Sequence, residues 1–239
     1  MQQQQQYKKI ILLGDSQFEL SWNPALDFCL PGAIASLYAR RADVLNRGLS
    51  GYSSPWLRSQ FDRVLEELGD TVEPLMFILW LGTNDACIES TPHHVPVVET
   101  VAMTREYVSA IRARWAHTAI LLVTPAPVSI AKMETSPLRS KGTDRTQRAM
   151  ADYAQMLLDA CAEGGVLAEF GVMPVNLFEA GEQIGKFTID GLHFNGQGYR
   201  ILFNLLRNVF DSEPTLSPAS LSGVEPGWAV KARQLGRTV

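Results

Sequence analysis

The chain has 239 residues, of which 46% are hydrophobic and 19% charged, a globular rather than a disordered composition. Its 21 basic and 25 acidic residues leave a net charge of −4, which argues against nucleic acid as a partner because phosphate binding needs a basic surface. About 150 residues per domain allows one large domain or two small ones, and no apolar run approaches the roughly 20 residues of a membrane span.

At the amino end, five glutamines lead into Tyr7-Lys8-Lys9 and a short apolar run, Ile10 to Leu13. That run is too short for a secretion signal. The three cysteines, Cys29, Cys87 and Cys161, are far apart and form no metal spacing. Both features fit a cytoplasmic protein. Tyr7 to Leu13 reads as the first strand, Gly32 to Arg41 as a helix, and Val44-Leu45-Asn46 as a short strand. Pro55 opens a helix whose Leu57, Phe61, Val64 and Leu68 fall at helical spacing. Leu75 to Leu81 is a continuous apolar run, the pattern of a strand covered on both faces.

Farther along, Val101, Thr104, Val108, Ile111 and Trp115 line one helix face, and Ala119 to Thr124 is the next strand. Residues 143 to 163 have helical composition, with Met150, Tyr153 or Ala154, Leu157 and Cys161 on one side. Val172 to Leu177 reads as a last strand, placed at the sheet edge by Pro174. A closing helix carries Tyr199, Leu202, Leu206 and Val209. After Asp211 the chain turns rich in Ser and Pro; a lone Trp228 there is expected to dock, over the site or on a second subunit of a homodimer. The expected division is a disordered tail over 1–7, one domain over 8–210 and an irregular tail over 211–239.

Strands alternating with helices imply βαβ units and a parallel sheet covered on both faces. Ligands then bind beyond the carboxyl ends of the strands. Four segments lie there: Gly14-Asp15-Ser16-Gln17, Asn46 to Gly51, Gly82-Thr83-Asn84-Asp85, and Asp190-Gly191-Leu192-His193. Each alone reads as a turn. Together they hold what acyl transfer needs: a nucleophile, a base, a group to orient the base, and oxyanion donors. Ser16 is the candidate nucleophile, His193 the base, and Asp190 the carboxylate that holds the imidazole tautomer. The Ser16 and Gly51 backbone N–H groups and the Asn84 side chain are candidate oxyanion donors. Asp15 is expected to brace the loop rather than to do chemistry. Activity is then expected to rise with pH as the base deprotonates.

In this order, the four segments resemble the blocks of the SGNH, or GDSL-type, hydrolases. Residues 47–53, 81–87 and 190–199 are similar to the isoamyl acetate-hydrolysing esterase branch. The resemblance runs from about residue 8 to 210. It implies a flavodoxin-like three-layer α/β/α sandwich, Ser16-Asp190-His193 as the catalytic triad, and Gly51 and Asn84 in the oxyanion hole. It implies no cofactor and no metal, and a small-molecule ester as partner, with short-chain esters of small hydrophobic alcohols as substrates. One departure is Gln17, where the family usually carries an aliphatic residue; a polar group beside the nucleophile bears on substrate preference.

Competing readings remain. An acyltransferase or thioesterase would use the same triad, a carbohydrate deacetylase would share the fold with Trp56 and Trp80 as sugar platforms, and a non-catalytic binding module would keep the fold alone. Ser50 is a decoy, since Gly48-Leu49-Ser50-Gly51 is one residue short of the Gly-x-Ser-x-Gly elbow. Cys87 reads as a buried inert thiol, and His93-His94 as a solvated loop without metal-ligand spacing.

Overall fold

A computed structural model describes residues 7–70, 73–138, 143–180 and 186–223. The glutamine run and Trp228 lie outside them. Five parallel strands, β1 Lys8–Asp15, β2 Ala42–Leu49, β3 Met76–Trp80, β4 Ala119–Val123 and β5 Met173–Val175, pair in the order β2-β1-β3-β4-β5. The described helices are α1 Ser16–Glu19, α2 Leu30–Leu37, α3 Arg58–Leu68, α4 Val97–Arg114, α5 Ile130–Thr135, α6 Gln147–Cys161 and α7 Gly196–Ser212. None is long and apolar enough to cross a membrane.

Alternation along each strand sorts the core into two layers. Ile10, Leu12, Met76, Ile78, Trp80, Leu121 and Val123 face α2 and α7, meeting Leu30 and Ile34 on the first and Tyr199, Leu202 and Leu206 on the second. Ile11, Leu13, Phe77, Leu79, Ile120 and Leu122 face the other way, against Phe61 and Val64 of α3, Tyr107, Val108 and Ile111 of α4, and Leu157 and Ala160 of α6. The result is the expected three-layer α/β/α sandwich. Both faces of the central strands are dry, which is why Leu75 to Leu81 is apolar without interruption.

Element bounds differ from the sequence reading where local chemistry intervenes. The first long helix starts at Leu30, because Cys29 caps it through Sγ and Pro31 fits the first turn, and it stops at Leu37. The second strand has eight residues rather than three. It is an edge strand whose side chains are mostly half-buried, so Asp43, Asn46 and Arg47 sit in it without cost. The last strand is short and at the other edge, where Pro174 removes no needed ladder donor. On α6 it is Ala160 rather than Cys161 that is buried, and on α7 Phe210 rather than Val209. Phe210 packs edge-on against Tyr38 at 5.5 Å, and the Tyr38 hydroxyl donates to the Leu216 carbonyl at 2.8 Å, which seats the chain just beyond α7.

In the order β2-β1-β3, the connections leave β1 toward one edge and return to β3 on its other side. That reversal is the topological switch point, and the crevice opens beyond the ends of β1 and β3. Gly14 lies level with Gly48 of β2 and with Trp80 of β3. The segments that follow the three strands therefore emerge side by side.

Candidate active site

β1 runs straight into α1. Asp15 caps the helix, its carboxylate accepting the Gln17 N–H at 2.8 Å, and Ser16 takes the first helical position. The N–H of a residue there has no intrahelical partner. The turn needs close backbone approach from β2. A Cβ on Gly48 would lie 2.3 Å from the Glu19 nitrogen and 2.8 Å from the Asp15 carbonyl, so only glycine fits. Asn46 ties the same two segments, donating to the Phe18 carbonyl at 2.7 Å.

From the far end of the chain, residues 188–195 return to this turn. His193 Nε2 lies 3.0 Å from Ser16 Oγ, and its Nδ1 lies 2.9 Å from Asp190 Oδ2. The other Asp190 oxygen accepts the backbone N–H groups of Leu192 at 3.0 Å and His193 at 2.8 Å. One carboxylate thus shapes the loop and holds the ring. Burial by itself would raise the Asp190 carboxyl; the hydrogen bonds from the His193 side chain and backbone and from Leu192 outweigh it and hold the group well below the ordinary carboxylate range. Asp190 is 4% exposed and Ser16 5%. With Nδ1 bound to a carboxylate, Nε2 is the nitrogen left to take a proton from the hydroxyl.

The segment after β3 brings Asn84 beside the segment after β2. Its Nδ2 donates to the Tyr52 carbonyl at 2.9 Å, next to Gly51. Gly51 has φ of +79°, and its N–H finds no acceptor among the described residues. Asp85 fastens the two segments: its carboxylate accepts the Ser54 N–H at 3.1 Å, the Ser54 hydroxyl, and the Thr100 hydroxyl at 2.9 Å. Burial raises the Asp85 carboxyl, and these bonds counter it.

Two participants escape a reading by motif. Arg145, 4% exposed, precedes α6 and donates from Nη2 to Asn84 Oδ1 at 2.5 Å and from Nε to the Thr83 carbonyl at 2.8 Å. It fixes which way the Asn84 amide points. The segment 125–138 holds a helix, α5, that the sequence reading did not include. Met133 of α5 packs against Gly191, the Ser129 N–H donates to the Gly191 carbonyl at 2.8 Å, and Lys132 donates to the Thr188 carbonyl. This insert braces the histidine loop.

Asp15 is buried under the turn that carries Ser16. Its burial pushes the carboxyl up to about 6, opposed by the Gln17 N–H and by the charges of His193 and Arg145. Ser50 is exposed, with its N–H on the Glu19 carboxylate, and takes no part in the cluster around Ser16. Burial raises the Cys87 thiol, which keeps it protonated. His94 Nδ1 lies 2.7 Å from the Cys87 carbonyl oxygen. His93 packs on Trp56 at 5.2 Å, and a Cβ on Gly51 would lie 3.9 Å from its ring. Trp80 is fully buried beneath the site and can offer no platform to a sugar.

Known proteins are similar to this chain. Residues 12–201 match the model of the GDSL-like lipase/acylhydrolase family. The chain is 30% identical over 86% of its length to an isoamyl acetate-hydrolysing esterase of Saccharomyces cerevisiae, covering 87% of that protein. It is 31% identical to a GDSL esterase/lipase of Arabidopsis thaliana, over 82% of this chain and 83% of that one. The crystal structure of a lipase/acylhydrolase from Enterococcus faecalis superposes with a TM-score of 0.61 at 19% identity, covering 92% of this chain and all of that one. On the strength of the family match and of these relatives, the chain belongs to the GDSL-like lipase/acylhydrolase family and is a carboxylic ester hydrolase.

Proposed function

We propose that the protein is a serine esterase for short-chain carboxylic esters of small hydrophobic alcohols, working through an acyl-enzyme on Ser16. The observation that carries this reading is the unbroken relay from Ser16 Oγ through the His193 ring to Asp190, with contacts of 3.0 and 2.9 Å. His193 Nε2 takes the Ser16 proton as Oγ attacks the ester carbonyl carbon, and the imidazolium leans on Asp190. The carbonyl electron pair moves onto oxygen, where the Ser16 and Gly51 N–H groups and Asn84 Nδ2 receive the negative charge. An amide nitrogen has two hydrogens, and Asn84 gives one to Tyr52, which leaves one for the oxyanion. As the electron pair returns, the C–O bond to the alcohol breaks and the departing oxygen takes the proton from His193. Water, deprotonated in turn by His193, then releases the acid and restores the Ser16 hydroxyl.

The preference for small esters is supported by the isoamyl acetate-hydrolysing relative, and by the insert beside the site. Its Met133, 1% exposed, is packed on the histidine loop rather than open to an acyl chain. A chain-length series of p-nitrophenyl esters, run on the wild type and on Ser16→Ala, tests both parts. The reading predicts that acetate to butyrate turn over fastest and that Ser16→Ala loses nearly all turnover. A Ser16→Ala protein that keeps most of its esterase activity would overturn it.

A further inference from the structure

We infer that Gln17 is a positioning residue for His193, a clamp between the nucleophile turn and the histidine loop that an aliphatic residue at this place cannot form. The inference rests on the proposal that Ser16 is the nucleophile and His193 its base. Gln17 directly follows Ser16, yet its side chain is buried, with only 1% of the residue exposed. Its Nε2 donates to the Leu192 carbonyl at 2.8 Å, and its Oε1 accepts the Phe194 N–H at a longer 3.4 Å. One carboxamide therefore spans His193, binding the backbone on both sides of it in the manner of a neighbouring strand. The Gln17 backbone is held from the same direction, since the Tyr199 hydroxyl of α7 donates to its carbonyl at 2.7 Å.

Below the clamp the two segments share a layer of rings. Phe18 meets Trp80 edge-on at 5.3 Å, Trp80 meets Phe194 at 5.5 Å, and Phe194 meets Tyr199 at 5.6 Å. The residues after Ser16 and after His193 thus sit on one aromatic floor, and Gln17 is the polar tie above it. Asp190 orients the ring within its own loop. Gln17 sets where that loop lies relative to Ser16, and so sets the 3.0 Å gap that the proton crosses. With the clamp removed, the buried Leu192 carbonyl and Phe194 N–H lose their partner on this side, and the loop gains freedom in the direction that opens this gap.

Gln17→Met and Gln17→Leu keep similar volume and remove both polar contacts. Each is compared with the wild type and with Ser16→Ala, well below the melting temperature of each protein. The measurements are kcat and KM for p-nitrophenyl acetate and the rate of fluorophosphonate labelling at Ser16. The clamp predicts that both variants fold, that kcat and the labelling rate fall together by about tenfold or more, and that KM stays within about twofold. Variants that fold with kcat and labelling rate within about twofold of the wild type would overturn it. So would failure of both to fold, which would make Gln17 a folding determinant instead. If the wild type itself does not label at Ser16 while hydrolysing esters, the proposed function falls first and the clamp with it.

Discussion

Asn84 is held at both ends of its amide: one nitrogen hydrogen goes to Tyr52, and its oxygen receives Arg145. Loss of the remaining donor in Asn84→Ala should lower kcat about 10² to 10³-fold, measured by steady-state hydrolysis of p-nitrophenyl acetate. Arg145→Met should act more weakly on kcat, because the donor stays but is free to rotate. It should also cost about 1 to 3 kcal/mol of stability in urea unfolding, since Thr83 and Asn84 oxygens are left buried without that partner. Ser16, Gly51 and Asn84 were legible in the sequence because each lies within a few residues of a recognisable strand end, and Asp190 and His193 because they share one short segment just before the closing helix. Arg145 was not, because a cation in a polar stretch reads as solvated. Its one local signal is its place before the amino end of α6, where the helix dipole disfavours positive charge.

Elements buried on both faces declare themselves, and those at edges do not. β3 reads directly from its apolar run, whereas β2 reads as three residues because its polar positions are compatible with an edge. The six-residue α5 was not legible at all. A helix this short has little intrinsic stability, and what holds it is Met133, 1% exposed, against the histidine loop. Met133→Ala should therefore cost about 2 to 5 kcal/mol in chemical denaturation. It should lower kcat as well, because the loop that carries His193 loses its outer brace.

The fold as a whole gathers segments 177 residues apart in the chain at one switch point, and this concentration of buried carboxyl groups gives stability a pH dependence. Asp15 is raised from 3.8 to about 6 on folding, so the folded state holds more protons than the unfolded chain between those values. Its contribution is most favourable below about pH 4 and is lost as pH rises through 6, a change of about 3 kcal/mol. Asp190 acts in the opposite sense: its depressed folded value stabilises above the ordinary carboxylate range, and that gain is lost on acidification. Asp15→Asn keeps an acceptor for the Gln17 N–H and removes the buried charge. Its melting temperature should exceed that of the wild type at pH 8, with the gap closing toward pH 4. The parallel sheet followed from alternating elements, but the pairing of Gln17 with the loop at 192–194 did not, since no local pattern encodes a contact between such distant segments. The most direct trial of the whole account is to treat the protein with a fluorophosphonate and map the adduct by mass spectrometry. A single adduct on Ser16, absent in Ser16→Ala and strongly slowed in His193→Ala, is the predicted result; an active esterase whose adduct sits on Ser50 or elsewhere would contradict it.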